Sequence, residues 1–204
     1  MTQLVMLEAV DVEIGGERVL HVDSWQVHEG DWWLLTGARG SGKSSLLALL
    51  YAQAQASSGM AWVLETNLRQ ATPHTVAALR QQLGLILPQR LTWLPDMSLQ
   101  EQLRLHLQAA QGGTSINHEE RIAHVLQWAE LDDSKNHTPP AHNKDKYALQ
   151  AQLARALLLL PKIILLDDAF IHQQDEATQW LHTRLRAWQD NQPCAIIVAQ
   201  ASGA

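Results

Sequence analysis

The chain reads as an α/β protein, with a mostly parallel core sheet, an antiparallel β segment at its N-terminal end and a helical stretch inserted before the later core strands. Three observations predict this. A glycine-rich run, Gly37-Ala38-Arg39-Gly40-Ser41-Gly42-Lys43-Ser44-Ser45, stands between the apolar stretch Trp32 to Leu35 and a helix-forming stretch from Leu46 to Gln55. Two wholly apolar runs, Ile163 to Leu166 and Ala195 to Val198, have the composition of strands buried on both faces of a parallel sheet. Residues 4 to 35 break into short strand-like stretches separated by turn residues, the habit of antiparallel strands.

Taken in order, Gly15-Gly16 predicts a hairpin turn, and His28-Glu29-Gly30-Asp31 a second turn ahead of the strand that feeds the glycine-rich run. After the helix, Ser57-Ser58-Gly59 predicts a turn, Met60 to Leu64 a strand, Val76 to Gln82 a short helix and Leu83 to Leu87 another strand. From Leu99 to Leu131, apolar residues recur at helical spacing (Leu99, Leu103 and Leu107, then Ile122, Val125, Leu126 and Ala129), and Gly112-Gly113 divides the stretch into at least two helices. Asp132 to Lys146 is polar and holds Pro139-Pro140, so it predicts a loop. A helix from about Tyr147 to Leu160 follows, with Asn143 or Asp145 as candidate caps. Thr178 to Gln189 predicts a surface helix between the two buried strands. No internal repeat or low-complexity segment interrupts this order.

Composition limits the function. At 204 residues the chain suits one domain, 1–204, large enough to need no disulfide or metal staple. The single cysteine, Cys194, lies in an apolar run, so a buried strand residue is expected rather than a nucleophile, and the cysteine usage fits a reducing compartment. With 15 basic residues scattered among 21 acidic ones and a net charge of −6, nucleic acid is not expected as a partner. No apolar run, Ala156 to Leu160 among them, approaches the roughly 20 residues that span a bilayer, so any membrane link is expected to go through another protein. Eight tryptophans are dispersed along the chain and read as core and interface residues.

The glycine-rich run is a P-loop. Its glycines let successive backbone N–H groups turn inward around a polyphosphate, and the helix that follows adds the positive end of its dipole. In that pattern Lys43 neutralises the β- and γ-phosphates, and the Ser44 hydroxyl holds a magnesium ion. A glycine-rich turn without ligand is the competing reading. Downstream, an apolar strand ending in acids, Asp167-Asp168, is the arrangement in which the first acid orients magnesium and the second polarises an attacking water; a pair of strand-end acids is the alternative.

With these pieces in order, the chain resembles the nucleotide-binding subunits of ABC transporters and of related cell-division or lipoprotein-release complexes. The resemblance also rests on Leu79 to Gly84, Gln89, Trp93-Leu94-Pro95 and Ser98 to Leu103, which look like the family's Q-loop region, and on Ala154 to Leu157 and Pro161 to Asp168. It implies a P-loop NTPase of ABC type with a helical subdomain at about 93–157. It implies ATP and magnesium as ligands, with Gln89, or Pro88 by another count, at the Q-loop position beside Ser44 and Asp167. A second ATP-binding subunit, identical or different, and an integral membrane subunit are the implied partners, on the cytoplasmic face of the cell membrane. In such systems the membrane subunit selects the substrate and docks near the Q-loop, here Gln89 to Leu103.

Departures from the family pattern concern turnover. The signature loop falls on Asn143-Lys144-Asp145-Lys146-Tyr147 with no residue type retained, although Lys144 or Lys146 offers a point charge to the γ-phosphate of the opposite subunit. The catalytic glutamate falls on Asp168, one methylene shorter. The switch histidine falls on Gln200, which cannot carry a proton. The adenine-stacking aromatic falls on Ile14, and Ala169 to Asp175 lack the usual D-loop pattern. Binding residues therefore survive better than turnover residues, which implies slow or conditional hydrolysis or a non-catalytic, nucleotide-gated scaffold. A small-molecule kinase fits less well, because the inserted helical stretch matches the transporter pattern. His118, His124, His137 and His142 form no evident metal set, no Gly-x-Ser-x-Gly elbow is present, and Arg39 reads as solvated or as a phosphate contact.

Overall fold

The structure, a computed structural model, describes residues 2–87, 97–111, 116–131, 144–167 and 176–201, side chains at 111, 116, 144 and 145 excepted. Two strands of 12 residues, β1 (Gln3–Ile14) and β2 (Glu17–His28), form an antiparallel hairpin that closes with Ile14 opposite Glu17 across Gly15-Gly16. They are longer than the short strands that the sequence suggests. β4 (Ser58–Val63) joins the other side of β1, and β5 (Thr66–Asn67), which no sequence signal announced, pairs with β4.

Ser58 and Gly59 belong to β4 rather than to a turn. Between the pairs Glu8–Met60 and Asp11–Ser58, β1 spends one residue more than β4, so the ladder bulges there. Gly59 has φ +78°, and a Cβ on it would lie 2.2 Å from the Ala9 carbonyl oxygen, so the close crossing of the two strands requires glycine.

The second sheet is wholly parallel, in the order β3 (Trp32–Gly37), β8 (Ala195–Ala201), β7 (Ile163–Asp167), β6 (Leu83–Ile86). Ile163 to Leu166 are completely buried, as strands covered on both faces require. One core lies between this sheet, the antiparallel sheet, α1 (Lys43–Leu50) and α2 (Pro73–Arg80). The other packs α3 (Leu99–Gln111), α4 (Ile116–Trp128), α5 (Lys144–Leu157) and α6 (Glu176–Asn191) on the opposite face.

Helix boundaries depart from the sequence reading for local reasons. α1 starts at Lys43 and stops at Leu50 instead of running to Gln55. Arg80 of α2 donates to the carbonyls of Tyr51 (3.0 Å) and Ala52 (2.9 Å) and lies over the Tyr51 ring, and Ala52 turns left-handed at φ +55°. α2 begins three residues early because Thr72 and Thr75 form a reciprocal cap with Pro73 at the first helical position. α5 begins at Lys144, which puts Asp145 inside the helix and not at its cap. α6 is amphipathic, burying Leu181, Leu185 and Trp188. Among the described residues no helix is long and apolar enough to cross a membrane.

Candidate functional site

In a parallel sheet all C-terminal strand ends lie along one edge, and ligands bind there. Here Gly37 at the end of β3 is level with Ala201 of β8, and Asp167 at the end of β7 is level with Ala199. The glycine-rich loop and Asp167 thus reach the same edge from strands separated only by β8. Ser44 Oγ, in the first turn of α1, donates to Asp167 Oδ1 at 3.1 Å, joining groups 123 residues apart in the chain.

The loop is held in an open arc. Lys43 Nζ folds back over it and donates to the carbonyl oxygens of Gly37 (2.8 Å) and Ala38 (2.8 Å) and to Ser41 Oγ (3.1 Å), which ties the first and last parts of the loop together. Gly42 caps α1 with φ +88° and provides no side-chain acceptor for the first N–H groups of the helix. A Cβ at Gly42 would lie 2.6 Å from the Val19 carbonyl oxygen, so the backbone of β2 packs directly against the loop. The result is a cleft of about 350 Å³ lined by Arg39 to Ser45, Val19 and Ala201. Arg39 is exposed at its rim.

Chemically, the head of α1 presents uncapped N–H groups, an ammonium and hydroxyls, which suits an anion with several oxygens. The Ser44 hydroxyl and the Asp167 carboxylate are hard oxygen donors of the kind that hold magnesium, so the donor set fits that ion.

The sequence-predicted residues 37–45 and Asp167 come together. Gln89 and Asp168 lie outside the described residues, as do Pro88, Trp93 to Pro95, His137, His142, Asn143 and Ala169 to Asp175. Gln200 belongs to a second cleft. Side chains alternate along β8, so Ile196 and Val198 face the core under α5 and α6 while Ile197 and Ala199 face α1. Gln200 continues the first series and lines a cleft of about 480 Å³ with Trp32, Leu34, Thr178, His182 and others, while its neighbour Ala201 lines the loop cleft.

Lys146 forms an ion pair with Glu176 at 3.2 Å, and Tyr147 is buried in the helical core. His118 is buried on α4, and His124 packs beside Trp128 and Trp188. Burial, assisted by the charge of Glu29, pushes the Cys194 thiol up to about 12, which leaves no thiolate at neutral pH. Val19 and Ala201 are the lining residues that sequence reasoning missed. Only the packing of β2 on Gly42 and the parity of β8 bring them there.

A family comparison matches residues 20–171 to the family described as ABC transporter. The chain belongs to that family. The ABC relatives include an uncharacterized ABC transporter ATP-binding protein of Saccharomyces cerevisiae, 26% identical over 92% of this chain and 37% of the relative. They also include the phosphonates import ATP-binding protein PhnC of Nocardia farcinica, 30% identical over 79% of this chain and 62% of the relative. The chain therefore spans between about a third and two thirds of the length of these curated relatives. Its ABC fold matches a solved dimeric ATP-binding cassette in a post-hydrolysis state bound to ADP and Pi. The TM-score is 0.82 at 20% identity, covering 97% of this chain and 88% of that one.

Proposed function

We propose that the chain is an ABC-type subunit that binds Mg-ATP on the loop 37–45 and couples its occupancy to an integral membrane partner, with slow or conditional hydrolysis. The observation that carries this reading is the 3.1 Å hydrogen bond between Ser44 and Asp167 at the uncapped head of α1. In this reading Lys43 swings from the loop carbonyls onto the β- and γ-phosphates, trading three neutral acceptors for charged ones. Ser44 and Asp167, with Gln89, would hold magnesium, which when bound neutralises phosphate charge. Turnover would depend on Asp168 as base and would require Gln200, which lines the neighbouring cleft, to turn toward the γ-phosphate. The protein would act as one domain over 1–204, with a helical subdomain at about 93–157. It would pair with a second ATP-binding subunit, identical or different, beneath the cytoplasmic face of the membrane.

A specific observation supports a second reading, a nucleotide-gated scaffold that breaks no bond. Of the positions aligned with the family's signature loop, Lys146 is engaged by Glu176, and Tyr147 is packed into the helical core. Neither is thereby disposed toward a phosphate on an opposite subunit. ATP need only prefer one of two conformations to act in such a scaffold.

Calorimetric titration of millimolar Mg-ATP into the folded protein tests the shared core of both readings, and absence of heat with unchanged thermal stability sinks them. Asp168→Asn separates the two. If the cellular role disappears while ATP binding persists, hydrolysis matters and the scaffold fails. Steady turnover of about 1 per second or more by the purified protein would remove the argument for impaired hydrolysis.

A further inference from the structure

An antiparallel sheet that packs one face on a core commonly turns polar side chains to water on the other. In the sheet β2-β1-β4-β5 the inward face follows this rule, with Leu7, Ala61 and Val63 completely buried. The outward face does not. Met6 stands directly opposite Trp62 and Glu8 opposite Met60, so these four side chains form one block on the side away from the core. Met60 is 51% exposed, and Met6 and Trp62 are half-buried. Along β4, Met60 and Trp62 form a ridge between two clefts, one of about 240 Å³ bounded by Met6, Trp62 and Glu65, the other of about 440 Å³ bounded by Met60, Asn67 and Arg69.

The charge around the ridge is one-sided. The strands of this sheet carry Glu8, Asp11, Glu13, Glu17 and Asp23 against Arg18 alone. Arg18 pairs with Asp11, and Arg69 donates to the Gly59 carbonyl at 3.3 Å, whereas Glu8 and Glu65 enter no ion pair among the described residues. Glu65 sits in the turn between β4 and β5 and Glu8 opposite Met60, so the two acids bracket the ridge at a separation of roughly 15 Å, about three turns of a helix. Repulsion between like charges disfavours a second copy of this face, and equally an anionic lipid surface, as its cover.

We propose that the outward face of β1 and β4 docks an amphipathic helix of another protein. Its apolar stripe meets Met6, Met60 and Trp62, side chains of the adaptable and anchoring kinds, and its lysines or arginines, about three turns apart, meet Glu8 and Glu65. A helix about 10 Å wide matches the breadth of β1, β4 and β5 at about 4.8 Å spacing. The docking needs no nucleotide, so it stands or falls separately from the loop reading.

Methionine-methyl NMR on the full chain tests it, because Met6 and Met60 lie on the face while Met97 lies ahead of α3. The probe is a helical peptide of about 18 residues, or five turns, with leucines on one side and lysines on the other, set against a twin carrying glutamate for lysine. The lysine peptide is expected to shift Met6 and Met60 saturably and to bind at least about tenfold more tightly than its twin. Glu8→Lys combined with Glu65→Lys should reverse that preference, and Met60→Ser should weaken the lysine peptide by about tenfold. Equal affinity for the two peptides, shifts at Met97 with none at Met6 and Met60, or binding unchanged by the double lysine variant overturns the proposal. So does a shift of the two methyls by phosphatidylserine–phosphatidylcholine vesicles without peptide, which would make the face a membrane surface, or by raised protein concentration alone, which would make it a self-contact.

Discussion

Two clefts flank the C-terminal ends of β3 and β8, and they are built from different materials. The loop cleft is the smaller, about 350 Å³, and most of its wall is main chain and short polar side chains at the head of a helix. The other, about 480 Å³, is walled by Trp32, Leu34 and the exposed side of α6, with the Arg186 guanidinium 3.9 Å from the centre of the Trp32 ring. Size does not mark the site. What distinguishes the smaller cleft is that its donors are gathered on one loop and the head of one helix, whereas the larger is a seam between a helix and a sheet edge. Substitutions should therefore divide cleanly between the two, affinity responding in one and stability in the other.

The largest effect is expected from Lys43→Ala, which removes the charge at the centre of the loop. Mg-ATP affinity should fall by about 10- to 100-fold in calorimetry, the loss of one or more hydrogen bonds to charged oxygens. Next comes Gly42→Ala. Its positive φ and the Val19 carbonyl 2.6 Å from the new Cβ should cost about 2–3 kcal/mol of stability, read as a lowered urea midpoint, and should also impair binding.

Asp167→Asn should weaken ATP binding by about tenfold with magnesium present and hardly at all with EDTA, a difference that only a metal-directed carboxylate produces. In the other cleft, Trp32→Ala should reverse the pattern. Loss of its packing and of the Arg186 contact should cost about 2 kcal/mol while leaving ATP affinity unchanged. A fall in affinity of tenfold or more in that variant would break the division between the clefts.

The smallest effect concerns neither cleft. On the hairpin, His21 stands between two carboxylates, with Nδ1 2.7 Å from Asp11 and Nε2 3.0 Å from Asp23. The bonds to Asp11 and then Asp23 raise the His21 pKa, and His21 followed by Ser58 lowers that of Asp11. A raised histidine stabilises the fold fully below its unfolded value near 6.5, and this contribution is lost as pH climbs through the folded value. Asp11 works in the opposite sense, its contribution fading only as pH falls below 3.8. The melting temperature of His21→Ala should therefore lie slightly below that of the parent at pH 5.5, and the gap should close by pH 8.5.

The loop half of the candidate site was legible in the sequence because its shape is local. Gly37 to Ser45 is one contiguous run whose strand-before and helix-after context fixes its shape. The position of Asp167 was legible for a similar reason, since a wholly apolar run predicts a buried parallel strand and Asp167 stands at its C-terminal end. Val19 was not legible, because its position depends on how a hairpin docks against a loop more than 20 residues later, and no periodicity encodes that. Gln200 and Ala201 differ by one residue yet line different clefts, a matter of strand parity that shows only once β8 is known to extend to 201. Helix ends were missed where tertiary contacts set them, as Arg80 does for α1, and Ser58-Gly59 was misread because a bulge and a turn draw on the same residues.

The strand order has a consequence for synthesis on the ribosome. β8 is the last described strand, yet it lies between β3 and β7, so the chain emerges with the two halves of its site lacking the strand that sets them side by side. Until residue 201 has left the exit tunnel, Ser44 and Asp167 have no fixed separation. The growing polypeptide should therefore stay blind to nucleotide until β8 has emerged, and a nascent chain stalled before β8 should be digested by protease equally fast with and without ATP.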